Sequence, residues 1–230
     1  MNKLKSTFIE GIFIKRYKRF FADIRLNNKE IVTAHCPNTG SMMGLLNEGN
    51  NVWISKSDDP KRKLKYTLEM IETQKKLVGV NTHRANRIVQ HGLENKLLKE
   101  FKSVKKIKPE FKYSDDTRFD FLCDKNIIEV KNVTLIRDNK YAEFPDAVTT
   151  RGSKHLNKLT NSIKKGYIPY VLFLTQIQDI NHFRIAKDID KNYYQNYLLA
   201  KKSGVKFLAY RCSLSSKEIK IERKINIINE

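Results

Sequence analysis

"IIEVKNV", Ile127 to Val133, sets two of the costliest side chains to bury, Glu129 and Lys131, inside a stretch apolar enough to be the centre of a sheet. Alternation along a strand sends Glu129 and Lys131 to one face and Ile128 and Val130 to the other. The preceding segment, Thr117 to Cys123, reads as a strand carrying Asp120 across the turn residues Asp124, Lys125 and Asn126. If Lys125 and Asn126 alone form the loop, Asp120 falls opposite Lys131 and shares its face. A three-residue loop would place it opposite Val130, on the wrong side. A common site therefore demands a two- or four-residue loop, or a bulge that restores parity. Two carboxylates on one face suit Mg²⁺ or Mn²⁺, and a neighbouring ammonium can offset charge developing on a phosphate. The competing reading is an ordinary cross-strand ion pair on a solvated edge.

Working outward, helix and strand periods divide the chain near residue 81. Before it come short runs separated by turn residues: FIEGIFI, FFADIRL, EIVTAHC, NVWISKS and KYTLEMIETQKKLVGV. Five strands without a strong helix predict a small barrel over residues 1–81. After it, Ala85, Val89, Leu93, Leu97 and Phe101 recur every four residues, so a helix starts with Thr82 as its N-cap. Strands follow near Val104 to Lys108, Thr117 to Cys123 and Ile127 to Leu135. A helix runs from about Thr150 to Lys165 and stops at Gly166. "YIPYVLFLTQI" is apolar on both faces, as in a strand covered from both sides. A helix near Asp190 to Ser203 ends at Gly204 and leads into "VKFLAYRC". The fold class is α/β (α+β): residues 82–230 form a mixed sheet flanked by helices.

The 230 residues are 40% apolar, enough for a substantial core. The sequence has no apolar run long enough to cross a bilayer and no secretory-signal pattern in MNKLKSTFIEGIF, so a cytoplasmic protein is expected, away from membranes. Cys36, Cys123 and Cys212 form no CxxC pair and read as reduced, buried thiols; His35 beside Cys36 is a poor start for a zinc site. Lys and Arg total 45 against 25 Asp and Glu, a net charge of +20. The excess is spread, with 15 bases and 8 acids up to Val80 and 30 and 17 beyond it. Such a surface attracts polyanions, nucleic acid above all. Codon bias of an AT-rich genome, which favours Lys, Asn and Ile, competes as the source of part of it.

Specific cations add detail. "IKRYKRFF" interleaves Arg16, Lys18 and Arg19 with Tyr17 and two phenylalanines, the mixture of charge and rings used by single-strand grooves. Arg84 and Arg87 open the first helix, where the dipole also favours an anion. Arg151, Lys154 and His155 begin the helix after the E-x-K strand, on the side where open sheets bind ligands. His155 reads as a helix residue with a satisfied hydrogen bond and not as a general base. Each cation also reads simply as a solvated face.

"DFLCDKNIIEVKNVTL" resembles the D-(x)n-ExK core of the PD-(D/E)XK nuclease superfamily, with Phe119 in place of the eponymous proline. "AHCPNTGSMMGLL", "VGVNTHRANR", "EVKNVTL" and "FPDAVTTRGSKHL" resemble the sugar fermentation stimulation protein A family over nearly the whole chain. That resemblance implies an N-terminal OB-like barrel, a C-terminal nuclease-like domain and DNA binding. It also implies metal-binding and catalytic roles for Asp120, Glu129 and Lys131, with Glu94 of the first helix as the additional acid. Two functions stand open: a Mg²⁺- or Mn²⁺-dependent nuclease, or a noncatalytic DNA-binding regulator of sugar metabolism genes that keeps the scaffold. Structured RNA is the alternative polyanion.

Overall fold

In the computed structural model, residues 8–73 and 76–228 are described. Five strands, β1 (Ile9–Tyr17), β2 (Phe21–Leu26), β3 (Ile31–His35), β4 (Asn51–Lys56) and β5 (Tyr66–Thr73), run in the order β3-β2-β1-β4-β5. A parallel pairing of Ala34 with Tyr66 and His35 with Thr67 joins β3 to β5 and closes the barrel. Alternation places Phe13, Ala22, Ile24, Val52 and Ile54 inside it. The expected fifth run is two strands, since β6 (Lys76–Gly79) turns back on β5; Gln74 and Lys75 between them lie outside the described residues.

Helix α1 (His83–Glu94) follows. Thr82 stands at its N-cap position but does not cap it through its side chain. The Thr82 hydroxyl donates instead to the Pro37 carbonyl, which ties the start of α1 to the barrel loop. The apolar stripe continues past the helix, because Phe101 is buried from a short 3₁₀ turn, Lys99–Phe101. Leu97, expected in that stripe, is exposed.

The remaining elements are β7 (Ile107–Ser114), β8 (Thr117–Cys123), β9 (Asn126–Val133), β10 (Leu135–Ile136), β11 (Tyr141–Phe144), α2 (Thr150–Ile163), β12 (Ile168–Thr175), β13 (His182–Ile185), α3 (Lys191–Lys202), β14 (Lys206–Leu214) and β15 (Ile219–Ile227). They form a mixed sheet ordered β10-β11-β13-β15-β14-β12-β9-β8-β7. β9, α2 and β12 make a parallel crossover unit in which Val171 pairs with Glu129 and Phe173 with Lys131. Along β12 the residues alternate between two buried layers. Tyr170, Leu172 and Leu174 join Ala85, Ile88, Val89 and Leu93 of α1. Val171 and Phe173 join Leu156 and Leu159 of α2 and Tyr193 and Tyr197 of α3. The second layer is continuous with the barrel interior, and Gly79 N–H donates to the Gln176 carbonyl at 2.8 Å. Barrel and sheet are thus packed together through one core.

The start of α2 is tied down by side chains. The Thr149 hydroxyl oxygen accepts from Gly152 N–H at 3.0 Å, and the Asp190 carboxylate accepts from both Thr149 N–H and Tyr193 N–H, capping α3 as well. Thr149→Ala is expected to cost about 1 kcal/mol, read as a fall of about 2–4 °C in melting temperature for a chain of this size.

Candidate functional site

β9 is an interior strand, so its residues are buried or half-buried whatever their polarity. Ile128 and Val130 pack toward α1, and Ile127 and Val133 toward α2 and α3. Glu129 and Lys131 fall between Ile127 and Val133 by alternation and take the α2 side. Glu129 is only 4% exposed. Its Oε1 accepts from Lys131 Nζ at 2.7 Å and from His155 Nδ1 of α2 at 2.5 Å. Among the described residues Oε2 accepts no hydrogen bond, so both donors crowd one oxygen and leave the other available. Burial alone would push the Glu129 carboxyl up; the Lys131 ammonium and the His155 imidazole outweigh it and hold the carboxyl below its ordinary value.

The hairpin register fixes Asp120. Cys123 pairs with Asn126 and Phe121 with Ile128, so the loop is two residues long, Asp124 and Lys125. The length satisfies parity, but the loop sits one residue earlier than Lys125-Asn126, and counting onward brings Asp120 level with Glu129 instead of Lys131. The described β8–β9 ladder ends at that Phe121–Ile128 pair, while β8 stays paired with β7 through Phe119 and Arg118. Opposite Asp120 on β7, Glu110 adopts φ +51°, outside ordinary strand geometry, and the β7–β8 register shifts further along, between Lys112 and Ser114. Phe121 consequently packs with the α1 layer and Phe119 with the α2 layer, against simple alternation. Asp120 stands at the pivot. One of its oxygens takes Val130 N–H at 2.6 Å, and the other takes Asn86 Nδ2 of α1 at 2.7 Å. Burial first, and the Glu129 charge second, push its carboxyl up to about 6, although Val130, Asn86 and Lys131 pull the other way.

Glu94 does not join this group. It is exposed, accepts from Gln90 at 2.8 Å, and lies eight residues beyond Asn86 along α1, about 12 Å away. Among the described residues no three His, Cys, Asp or Glu side chains converge as a ready chelate. Asn86 and His155 are the site residues that strand alternation cannot reveal, because both arrive from helices. His155, expected as a satisfied helix residue, is satisfied by Glu129 itself.

Two clefts reach the site. One, of about 800 Å³, lies between the barrel and the E-x-K strand and is lined by Arg16, Arg19, Ser41, Lys131, Asn132 and Val148 among others. The other, of about 650 Å³, lies between the β7–β8 turn and α2, where Lys112, Arg118, Arg151, Lys154 and Lys158 surround His155. Lys112, Arg118 and Lys158 have acidic partners there, whereas Arg151 and Lys154 are exposed.

The other cations divide between framework and surface. Arg16 donates to the carbonyls of Asn38, Gly40 and Arg19, so it builds the wall of the first cleft. Arg84 pairs with buried Glu69 at 2.5 Å and lies over the Phe8 ring. Tyr17 stacks on Phe21 and donates to Asp23. Lys18, Arg19 and Arg87 are exposed. The loop facing Arg16 is held from across the cleft: Ser41 Oγ donates to the Asp146 carbonyl at 2.8 Å, and a Cβ on Gly40 would run into the Asp146 carboxylate. Cys36, beside His35, is a buried thiol next to the Met42 sulfur.

Comparison with known proteins matches this architecture. Residues 14–80 fit the model of the SfsA N-terminal OB domain, and residues 83–218 fit that of the sugar fermentation stimulation protein RE domain. The sugar fermentation stimulation protein homolog of Pelagibacter ubique is 65% identical over 225 residues, covering 96% of this chain and 97% of the relative. That of Syntrophotalea carbinolica is 44% identical, with 98% of each chain covered. The structure of Pyrococcus furiosus SfsA in complex with Ca²⁺ shares the fold with a TM-score of 0.87 at 23% identity, covering 96% of each chain. The closed five-stranded barrel, the mixed sheet with three helices and these matches agree: the chain belongs to the sugar fermentation stimulation protein family.

Proposed function

We propose that the protein binds DNA and carries, at Asp120 and Glu129, a divalent-cation site serving phosphodiester cleavage. The observation that carries this reading is the pair of carboxylates where β8 leaves β9, with Lys131 beside them and a cation-lined cleft on either side. The residues fit Mg²⁺ or Mn²⁺: Asp120 is raised by burial and by the Glu129 charge, a repulsion that a cation would relieve, and Glu129 Oε2 is available. A relative of this fold in complex with Ca²⁺ supports the same class of ion. When bound, the cation would neutralise charge on the reacting phosphate. Of the chain's own groups, Val130 N–H and Asn86 orient Asp120, His155 orients Glu129, and Lys131 presents an ammonium toward the barrel-side cleft. The spread of +20 charges and the OB domain support a polyanionic partner, and the buried free thiols suit the cytoplasm.

Calorimetric titration of Ca²⁺ or Mn²⁺ into wild type and an Asp120→Asn/Glu129→Gln double variant tests the site. Equal affinity in both would remove the metal from the proposal. The noncatalytic regulator has one observation in its favour: Lys131 and His155 already compensate the Glu129 charge without any cation. DNA binding at fixed salt without cleavage in Mg²⁺ or Mn²⁺ would select it, and competition with structured RNA under the same salt would settle the polymer.

A further inference from the structure

We infer that the cleft between the barrel and the E-x-K strand accepts single-stranded DNA, with bases against Phe20 and Val148 and the sugar-phosphate chain led past Arg19 to Lys131. The inference rests on the proposed DNA binding and adds the strandedness of the substrate and the face that reads it.

Charge and apolar exposure coincide at this cleft. Arg19 and Lys131 line it from opposite sides, and Arg16 holds the Asn38–Gly40 backbone that forms its wall. Around this basic lining stand large apolar groups left in solvent. Val148, a lining residue, is 72% exposed, and Phe20, next to Arg19 in the β1–β2 turn, is 47% exposed. Met43, two residues beyond the lining Ser41, is equally exposed. Lys18 and Arg19 adopt φ of +48° and +62°, so the turn that carries Phe20 is built against ordinary backbone preference.

A duplex offers phosphates and groove edges, and its base faces are already stacked on one another. To a duplex, exposed rings at the rim contribute little. An unpaired strand presents base faces to a ring and phosphates to cations together, and here the exposed ring of Phe20 stands next in the chain to Arg19, which lines the cleft. A purely electrostatic duplex groove would need no apolar rim, and a protein partner docking on that rim would need acidic groups placed to meet Arg19 and Lys131.

The test is fluorescence anisotropy at fixed salt in EDTA, using the full chain and a labelled oligonucleotide as a single strand or as a blunt duplex. The single strand is expected to bind at least about tenfold more tightly than the duplex. Phe20→Ala is expected to reduce single-strand affinity about tenfold, the effect of removing one ring on which a base stacks, and to leave duplex binding unchanged. Phe20 is exposed, so the variant keeps the core, and Phe20→Tyr should restore binding by restoring a ring. Equal or tighter duplex binding, or a silent Phe20→Ala, overturns the inference while the proposed function stands. Binding of neither form overturns both.

Discussion

Lys131→Met is expected to lower the proposed metal-stimulated DNA cleavage by about 10²-fold or more, the usual consequence of removing one group that stabilises charge in a transition state. Methionine keeps much of the aliphatic stem, so the packing on β9 survives while the ammonium goes. That ammonium is the leading influence holding the Glu129 carboxyl down against burial. Without it the carboxyl rises and His155 becomes the only cation-capable partner of Oε1. The loss should therefore be steeper at low pH, with the acid limb of the rate profile displaced upward. A lysine that only paired with Glu129 would move that limb and leave the plateau rate above it unchanged. Cleavage by highly purified variant at the wild-type rate would remove Lys131 from the chemistry.

The E-x-K pair was legible because a strand covered on both faces has no reason to hold two charges, and alternation alone assigns them to one layer. Hairpin parity was legible only as a condition, since residues 124–126 allow a two- or a three-residue loop and the register decides between them. Asp120 was not fully legible. Its place depends on the backbone at Glu110, ten residues away, and no residue type there announces positive φ. Asn86 and His155 lie 34 and 26 residues in sequence from their carboxylate partners, and periodicity carries no information over that span. Glu94 illustrates the converse: an acid on the right helix, but two turns too far along it. The final strand had a usable signal. In "IKIERKINI", Ile219, Ile221 and Ile225 are buried and their neighbours exposed, the alternation of a half-covered strand. The two short strands β11 and β13 had none, since four residues of mixed polarity fix no period.

Asp120→Asn is expected to make the metal-free protein more stable at pH 8, although it damages the proposed site. Folding raises this carboxyl from 3.8 to about 6, so the folded chain binds the proton more tightly than the unfolded chain. Protonated Asp120 therefore favours folding fully below pH 3.8, and that contribution is lost as pH rises through about 6. Above that point the native state carries a carboxylate that burial and Glu129 both oppose. A difference of about two units corresponds to roughly 3 kcal/mol, and partial relaxation makes roughly 1–3 kcal/mol the expected gain for asparagine. The amide oxygen can still accept from Val130 N–H, and a flip of the Asn86 amide supplies an acceptor for the new NH₂ group. The gain should shrink between pH 6 and 4 and vanish below. Saturating Ca²⁺ should erase it from the other side, because wild type alone gains binding energy, about 2.7 kcal/mol at a hundred times Kd. Urea denaturation across pH 4 to 8, with EDTA or Ca²⁺, separates these terms. A destabilised variant at pH 8 in EDTA would show that Asp120 is held for its hydrogen bonds alone. A stabilised one that Ca²⁺ overtakes would show two carboxylates kept close at a cost to the fold, which is understandable only if something positively charged is meant to come between them.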